Sequence, residues 1–266
     1  MTAPDHKQFA ARRIAMRVQY DGTGFLGWQR QSRGRTVQEE IERMLSRLAG
    51  DVPVTVVGAG RTDSGVHAHG QVAHADIITR YSAAELHHAI GRMSPDDMAI
   101  TDLADAPAGF HARYAAYARS YRYSIIHHRD PFLARYAWRL DRRLDSDLLN
   151  AAAAQLHGAH DFTALSKHNP DTEKMICDIS RAEWRRREDG VEFHVTADRF
   201  LYGMVRLLVG AQIDVALGRM RAERIGEIIV LRDRSFQSTA APAHGLSLVE
   251  VSYPYPIFRQ SGTDAM

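Results

Sequence analysis

The stretch VGAGRTDSGVH, residues 57–67, places three glycines, an arginine and a carboxylate within one short turn. It follows an alternation of three valines over residues 52–56, which predicts a strand that ends as the glycines begin. Glycine permits positive φ angles and close approach of backbones, so the pattern indicates a loop shaped to fit against another group. Asp63 is therefore predicted at a strand's end, two residues from Arg61; on an extended backbone the two side chains would share a face.

Two interpretations of Asp63 follow from this position. An aspartate between threonine and Ser-Gly commonly forms a turn by bonding its own backbone. The functional alternative is an ionised carboxylate held by a guanidinium, because a neighbouring arginine favours the charged form. A nucleophile or base that acts at neutral pH on an uncharged substrate would need that form. The two residues alone leave both interpretations open.

The composition describes a folded protein of ordinary size, with 266 residues, 45% of them hydrophobic and 25% charged. This length suffices for one large domain or two medium ones, each with a buried core. No apolar run is long enough to span a bilayer, and the N-terminal residues have no signal-peptide core. The one cysteine, Cys177, excludes a disulfide framework within the chain and is expected to be a small core residue. These features predict a cytoplasmic protein.

The net charge of +2 conceals a strong preference for arginine, which supplies 31 of the 34 basic residues. A biased genome alone would produce such a preference, but arginine is also the residue best suited to phosphates and base stacking. Clusters at residues 30–35, 139–143, 185–187 and 219–224 would give a basic surface. Composition therefore permits nucleic acid as a partner without requiring it.

Hydrophobic periodicity over residues 12–107 predicts a first half of strands interleaved with two helices. The first helix is capped by Thr36, with Glu39 three residues on completing a capping box, and the second opens at Ser82. Residues 1–11 are predicted to be a polar tail. Besides the strand before the Asp63 loop, the predicted strands of this half lie at 12–20, 71–78 and 97–105.

A second half over residues 108–254 repeats the order of strands and helices, and residues 255–266 are predicted to be a tail. We therefore predict an α+β (mixed α/β) fold of two pseudo-symmetric halves, each an antiparallel sheet with helices. Residues 160–174 are predicted to form a mobile polar loop. The predicted strands of this half lie at 118–127, 176–187, 191–197 and 246–253, and the helices at 145–156, 201–217 and 221–231.

Arg206 occupies the middle of an apolar segment, MVRLLVG, which predicts a buried helix. A buried guanidinium without a partner is costly, so a carboxylate is expected to meet it. Asp198 and Asp214 are local structural candidates, whereas Asp63 would give a charge-paired carboxylate in a protected cleft.

Histidines and tyrosines near these segments suggest two further sites. His67 and His69 alternate on one predicted strand and His74 follows, but no further ligand stands at a zinc-like spacing, so no metal site is predicted. Tyr121 and Tyr123 alternate on a predicted strand among arginines, where they could stack on an unpaired base. Strand tyrosines are also common core residues.

Taken together, these segments resemble the tRNA pseudouridine synthase A family, in the family's order and over residues 13–253. The central signature is Gly-Arg-Thr-Asp-x-Gly-Val-His at residues 60–67. The other matching segments are Tyr20-Asp21-Gly22, Gly27-Trp28-Gln29-Arg30-Gln31, Gly70-Gln71-Val72, Phe110-His111-Ala112-Arg113, Tyr121-Arg122-Tyr123, His160-Asp161-Phe162-Thr163, Met204-Val205-Arg206 and Gly245-Leu246.

The resemblance implies an isomerase without cofactor or metal that converts uridine to pseudouridine in the 3′ side of the tRNA anticodon stem-loop, at positions 38–40. It also implies a homodimer, with tRNA bound in a cleft between the two halves. By motif, Asp63 would be the catalytic aspartate and Arg206 its ion-pair partner. Tyr121 would pack against the target base and help to remove a proton late in the reaction. Arg61 would face the RNA, and Leu246 would line the uracil pocket.

A second hypothesis is a catalytically idle RNA-binding module that uses the same fold to chaperone tRNA. Such a module would keep the arginines and tyrosines but tolerate the loss of Asp63. The presence of Arg61, Asp63 and Arg206 together favours the enzyme.

Overall fold

The computed structural model describes residues 10–170, 172–232, 235–236 and 239–258. Within these ranges, ten strands form one mixed sheet and five α-helices accompany it. The helices are α1 Val37–Leu48, α2 Ala83–Met93, α3 Ser146–Ala154, α4 Met204–Ala216 and α5 Glu223–Leu231. The strands are β1 Arg12–Tyr20, β2 Val56–Gly58, β3 His67–Ile77, β4 Met98–Ala106, β5 Ala118–Ile126, β6 Trp138–Arg139, β7 Gly158–Asp161, β8 Ile176–Arg186, β9 Gly190–Ala197 and β10 Leu246–Ser252.

The sheet contains the same topology twice. The chain order β1-α1-β2-β3-α2-β4 gives the spatial order β4-β1-β3-β2, and β5-α3-β8-β9-α4-β10 gives β10-β5-β9-β8. All neighbouring strands within each set are antiparallel. The predicted mixed α/β fold of two pseudo-symmetric halves is therefore confirmed, with β6, β7 and α5 as additions to the second set.

One parallel pairing joins the two sets. β10 runs beside β3, with Ser247 opposite His67 and Leu248 opposite Ala68. Because these two strands start at the same edge of the sheet, the loops that lead into them are neighbours. One of those loops carries Asp63 and the other precedes Leu246.

Buried apolar faces explain how the helices attach. In α1, Val37, Ile41, Met44 and Leu45 are buried at helical spacing. α4 is buried over most of its circumference, as its apolar sequence predicts. The buried hydrophobic residues form one cluster that extends through both halves, and the division into domains near residue 107 stays a prediction.

Local helix signals are largely confirmed. Ser82 and Glu85 form a complete capping box at α2. At α1, Thr36 accepts a hydrogen bond from the Glu39 amide, but the Glu39 carboxylate lies 3.8 Å from Arg30 instead of closing the predicted box. The start of α4 is Met204, three residues later than predicted.

Two local predictions are wrong. The strand before the Asp63 loop begins only at Val56, because Val52 is 56% exposed and the Val54 amide bonds the Ser46 hydroxyl instead of a neighbouring strand. The segment at 160–174, predicted to be a polar loop, begins inside β7 and buries Phe162.

The described part of the chain contains no helix that is both long and apolar enough to cross a membrane. Of the predicted tails, residues 1–9 and 259–266 lie outside the described residues, as does residue 171 of the predicted loop.

Candidate active site

The loop between β2 and β3 carries Asp63, and its glycines have different roles. Gly65 has a φ of +78°, as the sequence leads one to expect of a tight turn. Gly58 packs against the Trp28 ring, where a Cβ atom would lie only 2.5 Å from ring carbon Cε2. Gly60 has open space beside it. Gly65 is therefore required by its backbone conformation and Gly58 by its contact with the Trp28 ring.

The loop is fastened on both sides of Asp63. Thr62 is buried, its hydroxyl shares a 2.8 Å hydrogen bond with the Tyr20 hydroxyl, and its carbonyl accepts from the Trp28 amide at 3.1 Å. The Gln71 side chain donates to the Gly60 carbonyl at 2.9 Å. These bonds hold the backbone on the N-terminal side of Asp63 and leave its carboxylate oxygens free to bind another group.

Arg206 supplies the partner of Asp63. Its Nη1 donates to Asp63 Oδ2 at 3.0 Å, and both side chains are 18% exposed. The Arg206 Nε donates to the Ala241 carbonyl at 2.7 Å, while the Ala241 amide donates to the Arg206 carbonyl at 3.0 Å. The guanidinium in the first turn of α4 is therefore oriented by the segment before β10 and crosses from the second half to the first.

The other carboxylates considered for Arg206 lie elsewhere. Asp214 pairs with Arg219 at 3.0 Å, and Asp198 accepts from the Asp178 amide at 2.8 Å. Among the described residues, the hydrogen bond of the Asp63 side chain goes to Arg206, so the carboxylate does not serve its own turn. Its backbone carbonyl closes that turn by accepting from the Val66 amide at 3.1 Å.

Tyr121 lies beside this ion pair. It is 9% exposed and packs edge-to-face on Phe200, with ring centroids 5.2 Å apart. Burial, and then the negative charge of Asp63, raise the pKa of Tyr121 well above its usual value. The phenol is therefore protonated at neutral pH, close to the carboxylate.

Leu246 and Tyr123 face each other across β10 and β5, next to the same loop. Leu246 is buried, and Tyr123 is fully buried and donates its hydroxyl proton to the Pro242 carbonyl at 2.9 Å. Gly245 lies against the Tyr123 ring, where a Cβ atom would be 2.6 Å from Cζ. Tyr123 is thus a core residue that supports the loop before Leu246.

Arg61 is placed differently from the other predicted site residues. It is exposed, and within the described residues its side chain has no hydrogen-bond or ion-pair partner. The Asp63 carboxylate is paired with Arg206 instead. Arg61 is therefore an accessible cation on the loop that carries Asp63.

The three histidines of the metal hypothesis have separate environments. His67 is buried; its Nδ1 accepts from the Gly22 amide at 3.0 Å, and its Nε2 lies 2.9 Å from the Arg135 carbonyl. His69 is exposed and contacts Arg122. His74 is buried and accepts from a main-chain amide of the segment between β4 and β5. Over the ranges that the structure describes, no group of three His, Cys, Asp or Glu side chains is arranged to hold a metal ion.

Sequence reasoning did not identify two residues next to the site. Tyr20 holds Thr62, and Arg119 donates to the carbonyl of Ala59 at the base of the loop. The alternation along β5 contained a signal for the second, because Arg119, Tyr121 and Tyr123 stand two residues apart and share a face.

The arrangement combines a carboxylate, a guanidinium that forms an ion pair with it, and a protonated phenol at a partly buried position where the two halves meet. A carboxylate in this setting is suited to act as a nucleophile or as a base.

Comparisons with known proteins identify the family. The sequence matches the family model described as tRNA pseudouridine synthase over residues 16–115 and 152–254. It is 37% identical to tRNA pseudouridine synthase A of Acetivibrio thermocellus, over 91% of this chain and 100% of that protein. The proteins of the same name from Porphyromonas gingivalis and Chlorobaculum tepidum are each 39% identical, over 92% and 91% of this chain and 99% and 98% of theirs. The chain therefore belongs to the tRNA pseudouridine synthase family, the isomerases that convert uridine to pseudouridine in tRNA.

Proposed function

We propose that Asp63 is the catalytic group of this isomerase and that its targets are uridines 38–40, on the 3′ side of the tRNA anticodon stem-loop. The observation that carries the first part is the 3.0 Å ion pair of Asp63 with Arg206, which joins the two halves beside Tyr121. The target positions rest on the resemblance to synthase A, the name that the compared relatives bear.

The reaction explains why an ionised carboxylate is required. Isomerisation breaks the C1′–N1 bond, turns the freed uracil in place and forms a C1′–C5 bond, after which the C5 proton leaves and N1 gains one. Asp63 acts at the sugar, as a nucleophile or as a base, and either role needs the charged form. Arg206 orients the carboxylate through the hydrogen bond from its Nη1. No redox step or group transfer from outside enters this balance, which supports a reaction without cofactor.

The remaining site residues are assigned to the substrate. Tyr121 packs against the target base; because its pKa is raised, the protonated phenol is better suited to packing than to removing a proton. Leu246 lines the uracil pocket next to Tyr123. Arg61, exposed and unpaired among the described residues, contacts the RNA backbone. Such contacts offset the few kcal/mol that flipping a paired uridine costs.

Replacing Asp63 by asparagine tests the catalytic assignment, because it removes the charge and nearly keeps the shape. We expect Asp63→Asn to fold and bind tRNA but to make no pseudouridine, as mapped by chemical labelling of unmodified tRNA with EDTA present. The matched control is Asp214→Asn, which removes a carboxylate paired with Arg219 at the same 3.0 Å distance on the same helix as Arg206.

The control variant should form pseudouridine in the anticodon stem-loop as the wild type does. Equal product from Asp63→Asn and wild type would overturn the assignment of Asp63. Tight tRNA binding without product from the wild type would favour the idle RNA-binding module. Pseudouridine at other positions would keep the catalytic assignment of Asp63 and would contradict the proposed target positions. Loss of wild-type activity in EDTA would contradict the absence of a metal.

We further propose that the protein acts in the cytoplasm as a homodimer, as the resemblance implies. Sedimentation equilibrium with and without tRNA measures the second property directly. A mass of one chain, 29.9 kDa, at concentrations where the enzyme is active would refute the dimer.

A further inference from the structure

Arg119, at the start of β5, is a cation that makes only main-chain hydrogen bonds among the described residues. Each terminal nitrogen of its guanidinium donates two hydrogen bonds to carbonyl oxygens. Nη1 donates to Ala116 and Asp198, both at 2.9 Å, and Nη2 donates to Ala59 at 3.1 Å and to Arg113. All four terminal N–H groups of one side chain are thereby used.

This environment differs from that of the arginines that pair with carboxylates. Hydrogen bonds to Asp76 and Asp97 raise the pKa of Arg13 and of Arg35, whereas burial lowers the pKa of Arg119. The hydrogen bonds that offset the cost of partly burying this guanidinium therefore come from carbonyl dipoles, and the charge of Asp198 opposes the lowering of its pKa only in part.

The four carbonyls belong to segments that meet behind the site. Ala59 follows β2 and begins the loop that carries Asp63, four residues later. Asp198 follows β9 and begins the connection to α4, whose first turn carries Arg206. Arg113 and Ala116 belong to the segment that links the two halves, between β4 and β5. One side chain thus ties the support of Asp63 to the support of Arg206.

We propose that Arg119 is a positioning residue for the isomerase reaction: its guanidinium sets the relative placement of the Asp63 loop and of the connection to α4. This inference rests on the proposed role of Asp63. It assigns Arg119 no contact with RNA or with the reacting atoms. The requirement is for the shape of the donor as well as for its charge, because a planar fork offers paired N–H groups that a lysine ammonium does not.

The test compares Arg119→Lys and Arg119→Gln with the wild type in steady-state kinetics and in tRNA binding at several salt concentrations. We expect both variants to lower kcat by about 10–100-fold, the effect of a misplacement on the order of 1 Å. The Kd for tRNA and its dependence on salt should stay within about twofold of the wild type, since no phosphate contact is lost.

Arg13 provides the matched control. Its guanidinium also holds the segment between β4 and β5, through the Phe110 carbonyl at 2.8 Å, but it bonds Asp76 rather than the Asp63 loop. We expect Arg13→Gln and Arg13→Lys to lower the Tm with little change in kcat when all proteins are assayed well below their Tm. If Arg119→Gln does not fold, the comparison of the two lysine variants decides.

Three outcomes would overturn the inference. If Arg119→Lys keeps the wild-type kcat, the fork is not required. If the Kd rises and the slope of log Kd against log salt falls by about 1, Arg119 is a phosphate contact. If the Arg119 variants have a lower Tm and an unchanged kcat, as expected for Arg13→Gln, the role of Arg119 is structural. Asp63→Asn in the same series separates the two proposals. Activity in that variant would refute the catalytic role of Asp63, whatever the result for Arg119.

Discussion

His74 on β3 illustrates how a single buried residue makes stability depend on pH. It is 5% exposed, its Nδ1 accepts from the Ala112 amide at 3.2 Å, and the ring of His111 lies 4.7 Å away. Burial, followed by the charges of His111 and Arg13, lowers its pKa from 6.5 to about 4, with a smaller opposing effect of Asp76.

We therefore expect the free energy of unfolding to fall as the pH decreases. Between pH 6.5 and about 4, His74 is protonated in the unfolded chain but not in the folded protein. Lowering the pH through this range therefore favours unfolding, and the effect levels off below the folded pKa. The contribution is on the order of 3 kcal/mol when complete. Urea unfolding of wild type and His74→Gln at pH 7, 6, 5 and 4.5 measures it as a difference between the two proteins.

That difference is needed because other groups titrate in the same direction. His69, His194 and His244 also have pKa values lowered by burial, and they are common to both proteins. The glutamine can still accept the Ala112 hydrogen bond, so the variant should fold. If the free energy of unfolding falls equally with pH in the wild type and in His74→Gln, the prediction is wrong.

The ion-pair partner of a predicted site residue could not be fixed from residue identity and local spacing. Asp63 and Arg206 are 143 residues apart in the chain, and sequence spacing alone favoured Asp198 or Asp214 as the partner of Arg206. Only the pairing of β3 with β10 decides among them, because it places the segment before β10 next to the Asp63 loop. The alternation along β5 signalled only the face of Arg119; its role did not follow from sequence, because two of its four acceptors, Ala59 and Asp198, belong to distant segments.

At the scale of elements, the capping box of α2 gives a prediction that is independent of the reaction. The Glu85 carboxylate accepts from the Ser82 amide at 2.8 Å, and the Ser82 hydroxyl accepts from the Glu85 amide at 3.3 Å. We expect Ser82→Ala to lower the free energy of unfolding by about 1 kcal/mol, because the Glu85 amide in the first turn loses the hydroxyl that accepts its hydrogen bond. Urea unfolding measures the loss.

The same variant should keep the wild-type kcat, because α2 is far from the site. It packs against β4, and β1 separates β4 from β3 in the sheet. A tenfold loss of kcat would show that this helix influences the site. No loss of stability would show that water replaces the cap.

Elements with local causes were predicted to within a few residues, and those that depend on distant packing were not. Caps and alternation located α2 and β1, since both signals lie within the element. Val52 and Val54 alternate like a strand, but β3 pairs with β2 only from Val56 onwards. β7 exists because β8 lies beside it, and its own four residues carry no strand pattern.

At the scale of the whole molecule, we expect function to depend on how closely the two similar halves join. The seam consists of a short parallel pairing, the Asp63–Arg206 ion pair and the Arg119 fork. Sequence predicted the repetition of elements, and the family resemblance implied the ion pair, but the pairing of β3 with β10 was not predicted, because a parallel pairing between distant strands leaves no periodic signal. The two loops of the site are brought together by the seam, so a small separation of the halves changes both at once.

Gly70 on β3 allows that separation to be tested. A Cβ atom there would lie 2.3 Å from the Val249 carbonyl oxygen of β10, so Gly70→Ala must move the strands apart by about 1 Å. We expect a lower Tm and a kcat reduced by about 10–100-fold. The control is Gly91→Ala in α2, where no atom lies within 4 Å of the added carbon. It should raise the free energy of unfolding by about 0.5–1 kcal/mol and leave kcat unchanged. If Gly70→Ala keeps both the Tm and kcat, the seam yields without cost, and the placement of Asp63 relative to Arg206 does not depend on it.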